Sequence, residues 1–233
     1  MSGIVYGLLW LVFRAVGRLC FRYRAVGSRN IPRTGGVLVA ANHASFLDIP
    51  LLGCGIRRRV WFLGRHDLFP IPVLNTILQA LGWIPMRQGR LDREAFGKAI
   101  GLIKAGKAVV IFPEGSRTAD GHLRPGRPGL GVIVAKTRCP VVPAYIKGTY
   151  EALPIGAWWP RFRPVTVTYG EPIDFSDDAE PPAGKAFYRH ISRTVMAKIA
   201  ELGQVPPPDR MHEKQQEDQE LTGRLATRSC NAE

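Results

Sequence analysis

Cysteine is scarce: Cys20, Cys54, Cys139 and Cys230 are scattered through 233 residues with no C-x-x-C pair. A chain of this length builds a core without covalent staples, so reduced thiols are the expected state. His66, His122, His190 and His212 show no ligand spacing with Cys, Asp or Glu, so no metal site is expected. No G-x-S-x-G elbow supplies an activated serine, and no cysteine has a histidine neighbour in sequence, which disfavours a hydrolase with a covalent intermediate. Zinc-finger spacing and an RNP-like aromatic strand are also missing, which argues against the common nucleic-acid modules. No uninterrupted apolar run at the N-terminus reaches the roughly 20 residues of a membrane-spanning helix. Nor does a basic segment precede that run or a small-residue cleavage site follow it, so a secretory leader is not expected.

Acid is sparse relative to base, with a formal net charge of +13. From Pro206 onward six acids face four bases, so the residues before it carry +15. A body this basic calls for an anionic partner, and a phosphorylated substrate or an anionic membrane surface fits better than nucleic acid. Gly3 to Phe13 is apolar and is followed by Arg14, Arg18, Arg22 and Arg24. Arginines at every fourth position line one stripe of a helix. Residues 1–24 therefore predict a membrane-associating helix lying in the headgroup zone. A buried amphipathic helix, or a short spanning anchor with its basic flank in the cytosol, are the alternatives.

Beyond it, short apolar runs alternate with helical patterns. Strands are expected over Val37–Ala40, Val60–Leu63, Ala108–Phe112, Val141–Ile146 and Pro164–Tyr169, and helices near Phe46–Cys54, Pro72–Leu81, Asp92–Lys104, Gly129–Lys136 and Lys185–Glu201. Such alternation predicts an α/β fold, a largely parallel central sheet flanked by helices, with functional loops at the C-terminal ends of the strands. One domain is expected over 25–205. The proline-led, mixed-charge segment 206–233 reads as a disordered tail.

The chemistry concentrates in Asn42-His43-Ala44-Ser45-Phe46-Leu47-Asp48, directly after the first strand. Ser45 and Asp48 form an S-x-x-D capping pattern, which predicts a helix starting near Ser45. His43 then sits in the strand-to-helix turn. Asp48, in the first helical turn, reaches back to one imidazole nitrogen and fixes its tautomer. A helix cap alone would use the same residue types. The strand Ala108–Ile111 likewise ends in Phe112-Pro113-Glu114-Gly115-Ser116-Arg117. Between these blocks lies Gly82-Trp83-Ile84-Pro85-Met86-Arg87, and after them Val141-Val142-Pro143-Ala144-Tyr145-Ile146.

In this order the four blocks resemble those of the glycerolipid acyltransferase family, most closely its 1-acylglycerol-3-phosphate acyltransferases. The resemblance implies a general base, His43, oriented by Asp48, that activates an acceptor hydroxyl to attack an acyl thioester, with nearby backbone N–H groups holding the oxyanion. It needs no cofactor beyond the donor, acyl-CoA or acyl carrier protein, and its acceptor is a membrane lipid. The product would be phosphatidic acid, made at the cytoplasmic face of a membrane. Arg87 and Arg117 are the expected phosphate grips, since a guanidinium can form two parallel hydrogen bonds to phosphate. Glu114 holds the acceptor or supports the site; its spacing also allows an ion pair with Arg117. Gly115 would let the acceptor approach the backbone. Arg127, in Gly126-Arg127-Pro128-Gly129, stands where the family commonly has lysine. Asp rather than Glu at position 48 separates the chain from lipid A acyltransferase relatives. A remodelling lysophospholipid or glycerol-3-phosphate acyltransferase, and a non-catalytic basic membrane-binding protein, remain the rival readings. Arg57-Arg58-Arg59 reads as a solvated or lipid-facing loop, and Trp158-Trp159 as an interfacial anchor or a buried pair.

Overall fold

The computed structural model describes residues 3–65, 82–87, 92–176 and 184–208. The expected helix Pro72–Leu81 and the tail from residue 209 lie outside the described residues.

Its centre is β2 (Val37–Ala41), whose five apolar residues are all buried. Alternation decides what each side chain meets. Leu38 and Ala40 join the core on one face of the sheet, while Val37, Val39 and Ala41 join the core on the other. A strand apolar on both faces needs helices over both, the arrangement of an α/β domain. Around it lie β1 (Arg24–Val26), β3 (Val60–Arg65), β4 (Trp83–Met86), β5 (Ala108–Ile111), β6 (Val141–Lys147) and β7 (Thr166–Tyr169). Among the described residues they form one sheet of order β1-β7-β6-β2-β5-β3-β4. Every pairing is parallel except β6 with β7, so β1 and β7 run against the rest.

Among the described residues six α-helices and a short 3-10 turn (Ser28–Asn30) complete the element order: α1 (Gly3–Phe21), α2 (Asp48–Cys54), α3 (Arg93–Lys104), α4 (Gly129–Thr137), α5 (Thr149–Ala152) and α6 (Lys185–Gly203). The apolar sides of α3, α4 and α6 cover one face of the sheet through Ala99, Ile103, Ile133, Ile191, Val195 and Ile199. The other face is covered by α2 and the end of α1, through Leu51, Leu52 and Phe21. Asp92 caps α3, its carboxylate accepting from the backbone amides of Glu94 and Ala95.

Two expectations need correction. The helix after His43 begins at Asp48, not near Ser45, and its N-cap position is Leu47. Ser45 does not cap it: the Ser45 hydroxyl donates to the Leu153 carbonyl at 2.8 Å and accepts from Leu47 N at 3.2 Å. The strand expected from Pro164 begins at Thr166, because proline has no N–H to give to a ladder and Val165 N donates to Phe21 instead. In α1 the apolar and basic stretches form one helix as far as Phe21. Among the described residues no helix is long and apolar enough to cross a membrane. One side of α1 lies on the domain, with Trp10 Nε1 donating to Gly53 O and Gly17 against Leu51. Leu8, Leu11, Val12, Val16 and Leu19 stay exposed on a stripe of three- and four-residue spacing.

Candidate active site

β2 and β5 are paired in register, Ala40 opposite Ile111, so both chains leave the sheet at the same edge. The first exit carries His43 and the second carries Glu114. Asn42 steers the first: its side-chain amide donates to Ile146 O at 3.0 Å and its carbonyl accepts from Ile146 N at 2.7 Å. The turn is thereby tied to β6, two strands away from β5.

Asp48 is fully buried, and its Oδ2 is the hub of the turn. It accepts from Ala44 N at 2.7 Å, from Ser45 N at 2.8 Å, and from His43 Nδ1 at 2.8 Å. Two backbone donors fix the carboxylate, and the carboxylate fixes the ring. With Nδ1 so engaged, Nε2 is the nitrogen left for chemistry. The imidazole also stacks on Phe112, with ring centroids 4.0 Å apart and planes 14° from parallel.

Glu114 holds the same residue by its backbone. Its Oε1 accepts from His43 N at 3.0 Å and its Oε2 from Arg124 N at 3.2 Å, while Thr118 N donates to His43 O at 2.9 Å. Both carboxylate oxygens therefore serve backbone amides, in place of the ion pair with Arg117 that the spacing also allowed. Burial pushes the Glu114 carboxyl up to about 8; the two amides pull the other way, and the negative charge of Asp48 adds to the rise.

Gly115 and Arg127 work together. Gly115 has φ +78°, and a Cβ there would lie 2.6 Å from Arg127 Nε. The space that glycine leaves is filled by the arginine, whose Nε donates to Glu114 O at 3.2 Å and whose backbone N donates to Pro113 O at 2.8 Å. Arg117 lays its guanidinium over Phe46, 3.7 Å from the ring centroid.

His43, Phe112, Gly115, Arg117 and Arg127 line one cavity of about 230 Å³. It shares Phe46, Ile49 and Trp83 with an apolar cleft of about 470 Å³ bounded by Tyr6, Leu9, Trp10 and Phe13 of α1. Cys54 also lines that cleft, and burial pushes its thiol up to about 11, which leaves it unfit as a nucleophile. Arg87 follows β4 at the same edge of the sheet, but its side chain is exposed and the cavity wall there is made by Trp83 and Met86. The site thus gathers His43, Asp48, Glu114, Gly115, Arg117 and Arg127, with Arg87 outside the wall. Among the described residues no three His, Cys, Asp or Glu side chains are grouped to hold a metal ion.

The sequence assigns no role to Asn42 or Phe112, and to Ser45 only that of a helix cap. Their signal was adjacency, since each lies within or beside a block that carries chemistry. What none of them reveals in sequence is its partner: Ile146, His43 and Leu153 are all distant along the chain.

A family model described as acyltransferase matches residues 22–147. The chain is 36% identical over 135 residues to the chloroplastic 1-acyl-sn-glycerol-3-phosphate acyltransferase of Brassica napus, covering 56% of this chain and 39% of the relative. It is 25% identical over 180 residues to the 1-acyl-sn-glycerol-3-phosphate acyltransferase of Bacillus subtilis, covering 77% of this chain and 87% of the relative. The crystal structure of the 1-acyl-sn-glycerophosphate (LPA) acyltransferase PlsC from Thermotoga maritima matches with a TM-score of 0.67 and 28% identity, over 85% of this chain and 81% of that one. The chain spans half or less of the length of the plant relatives it matches.

Proposed function

From the premise that the chain belongs to the acyltransferase family, we propose that it moves a fatty acyl group from acyl-CoA or acyl carrier protein to the free hydroxyl of 1-acylglycerol-3-phosphate, giving phosphatidic acid. The observation that carries this reading is the buried Asp48 carboxylate 2.8 Å from His43 Nδ1, at a cavity whose wall includes two arginines.

His43 Nε2 takes the proton of the acceptor hydroxyl as its oxygen attacks the thioester carbonyl. Asp48 stabilises the imidazolium so formed. The tetrahedral intermediate collapses, the C–S bond breaks, and the proton passes from the imidazolium to the departing thiolate. The amides of residues 43–45 serve Glu114 and Asp48, and the amide of Gly115 serves Phe112 O, so these donors hold the turns in place around the imidazole. Arg117 and Arg127 grip the acceptor phosphate. Arg87, exposed outside the cavity, draws anionic lipid toward the edge by longer-range attraction. The apolar cleft beside the cavity holds an acyl chain, and the exposed stripe of α1 rests in the bilayer from which the acceptor comes.

Purified protein incubated with labelled acyl-CoA or labelled acyl carrier protein, and a panel of lysophospholipids and glycerol-3-phosphate, tests the assignment. Label appearing in phosphatidic acid, with lysophosphatidic acid as the preferred acceptor, is the expected result. Preference for a choline or ethanolamine lysolipid would replace it with a remodelling role. Absence of transfer from either donor class to every acceptor would contradict it.

A further inference from the structure

Between α5 and β7 the chain turns outward through Pro154-Ile155-Gly156-Ala157-Trp158-Trp159-Pro160-Arg161-Phe162-Arg163. Trp158 is 93% exposed, Trp159 85% and Phe162 72%. An aromatic side chain carries enough apolar area to dominate local packing, and three exposed ones within five residues of chain ask for a cover. The loop that presents them is held. Arg161 N donates to Ala152 O at 2.7 Å, Ala157 N to Pro154 O at 3.2 Å, and the Ser45 hydroxyl of the catalytic turn to Leu153 O. At one end Ile155 forms part of the wall of the His43 cavity. At the other, Phe162 meets Phe21, the last residue of α1, edge to face at 6.0 Å. The loop therefore bridges the mouth of the site and the helix with the exposed apolar stripe.

We propose that residues 154–163 are a second bilayer-inserting element. Trp158, Trp159 and Phe162 enter the boundary between headgroups and acyl chains, and Arg161 and Arg163 meet lipid phosphates. Indole is the side chain that favours this boundary, with an apolar body and one N–H for the wet side. Charge points to the same occupant: no acid lies between Glu151 and Glu171, and two arginines interleave with the aromatics. Contact of Phe162 with Phe21 ties the loop to the end of α1. Docking by both elements sets the mouth at Ile155 against the membrane surface, so that a lysolipid passes from bilayer to His43 without crossing water. This inference rests on the lipid-acceptor reading above, but its test needs no turnover.

The measurement is quenching of tryptophan emission by brominated phosphatidylcholine vesicles, with and without phosphatidylglycerol, in the wild-type protein and in Trp158→Ser/Trp159→Ser. Both side chains are almost bare, so the fold should survive, and far-UV circular dichroism checks it. The emission lost in the variant should be the blue-shifted, quenched part of the wild-type signal. Vesicle partitioning should fall about tenfold, as if each indole gained half the transfer free energy of a fully buried aromatic side chain. Acyl transfer to detergent-dispersed acceptor should be unchanged, while transfer to bilayer-presented acceptor falls. Unquenched emission from this pair, or equal flotation of both proteins, would overturn the proposal. So would a concentration-dependent dimer that the substitutions abolish without changing vesicle binding. Complete lack of acyl transfer would defeat the function proposed above and leave the quenching result standing.

Discussion

Asp48 Oδ2 holds three hydrogen bonds, and only one of them goes to the His43 ring. Asp48→Asn keeps the shape but loses the charge that stabilises the imidazolium, so kcat should fall by about a hundredfold or more while the melting temperature changes little. Steady-state assays beside thermal melts separate these effects. Arg117 and Arg127 line the cavity and Arg87 does not. Alanine at either of the first two should therefore cost about 1.5–3 kcal/mol in acceptor kcat/KM, and alanine at Arg87 clearly less. Equal losses at all three would remove the distinction drawn here. Glu114 adds a pH dependence to stability. Its carboxyl is raised from 4.5 to about 8 by burial, so the native state binds a proton that the unfolded chain has released. The stabilisation is full below 4.5 and is lost as pH rises through 8, with a slope of at most about 1.4 kcal/mol per pH unit. Urea unfolding of Glu114→Gln should lack this decline, and parallel pH profiles in the two proteins would contradict it.

At the scale of elements, the turns matter more than the strands that carry them. Gly115→Ala combines a positive φ with a Cβ 2.6 Å from Arg127 Nε, so it should displace Arg127, destabilise the protein by about 1–3 kcal/mol and lower activity; denaturant unfolding and assay together read both. α1 divides its surface between the domain and solvent. Replacing Leu11, Val12 and Leu19 by serine leaves the side that packs on α2 untouched. Vesicle flotation of that variant should drop at least tenfold, with detergent-phase activity retained. Retained flotation would move the membrane contact elsewhere. Legibility in the sequence followed burial. β2 showed as an apolar run because both its faces are covered, whereas β1 is three exposed residues, Arg24-Ala25-Val26, held by pairing with β7 alone and invisible to any pattern. The start of α2 was misjudged because the serine that looked like a cap bonds to Leu153, more than a hundred residues away.

For the whole molecule, β4 was not among the expected strands, but the parallel register of β2 and β5 sends the loops carrying His43 and Glu114 to one edge, and that much was legible from the order of apolar runs and polar turns. Long-range partners were not: the stack of Phe112 on His43, the reach of Glu114 to His43 N, and the filling of the Gly115 gap by Arg127 depend on strands meeting in register. The Trp158-Trp159 loop meets the end of α1 where Phe162 packs edge to face on the buried Phe21, and the same helix carries the exposed apolar stripe. The central claim is that His43 removes the proton from an acceptor hydroxyl. Its most direct test is the turnover number for labelled phosphatidic acid formation by His43→Ala, at saturating lysophosphatidic acid and acyl-CoA, in a protein whose circular dichroism and melting match the wild type. A general base at His43 predicts a loss of about 10²–10⁴-fold with acceptor binding preserved; turnover near the wild-type rate would contradict that role.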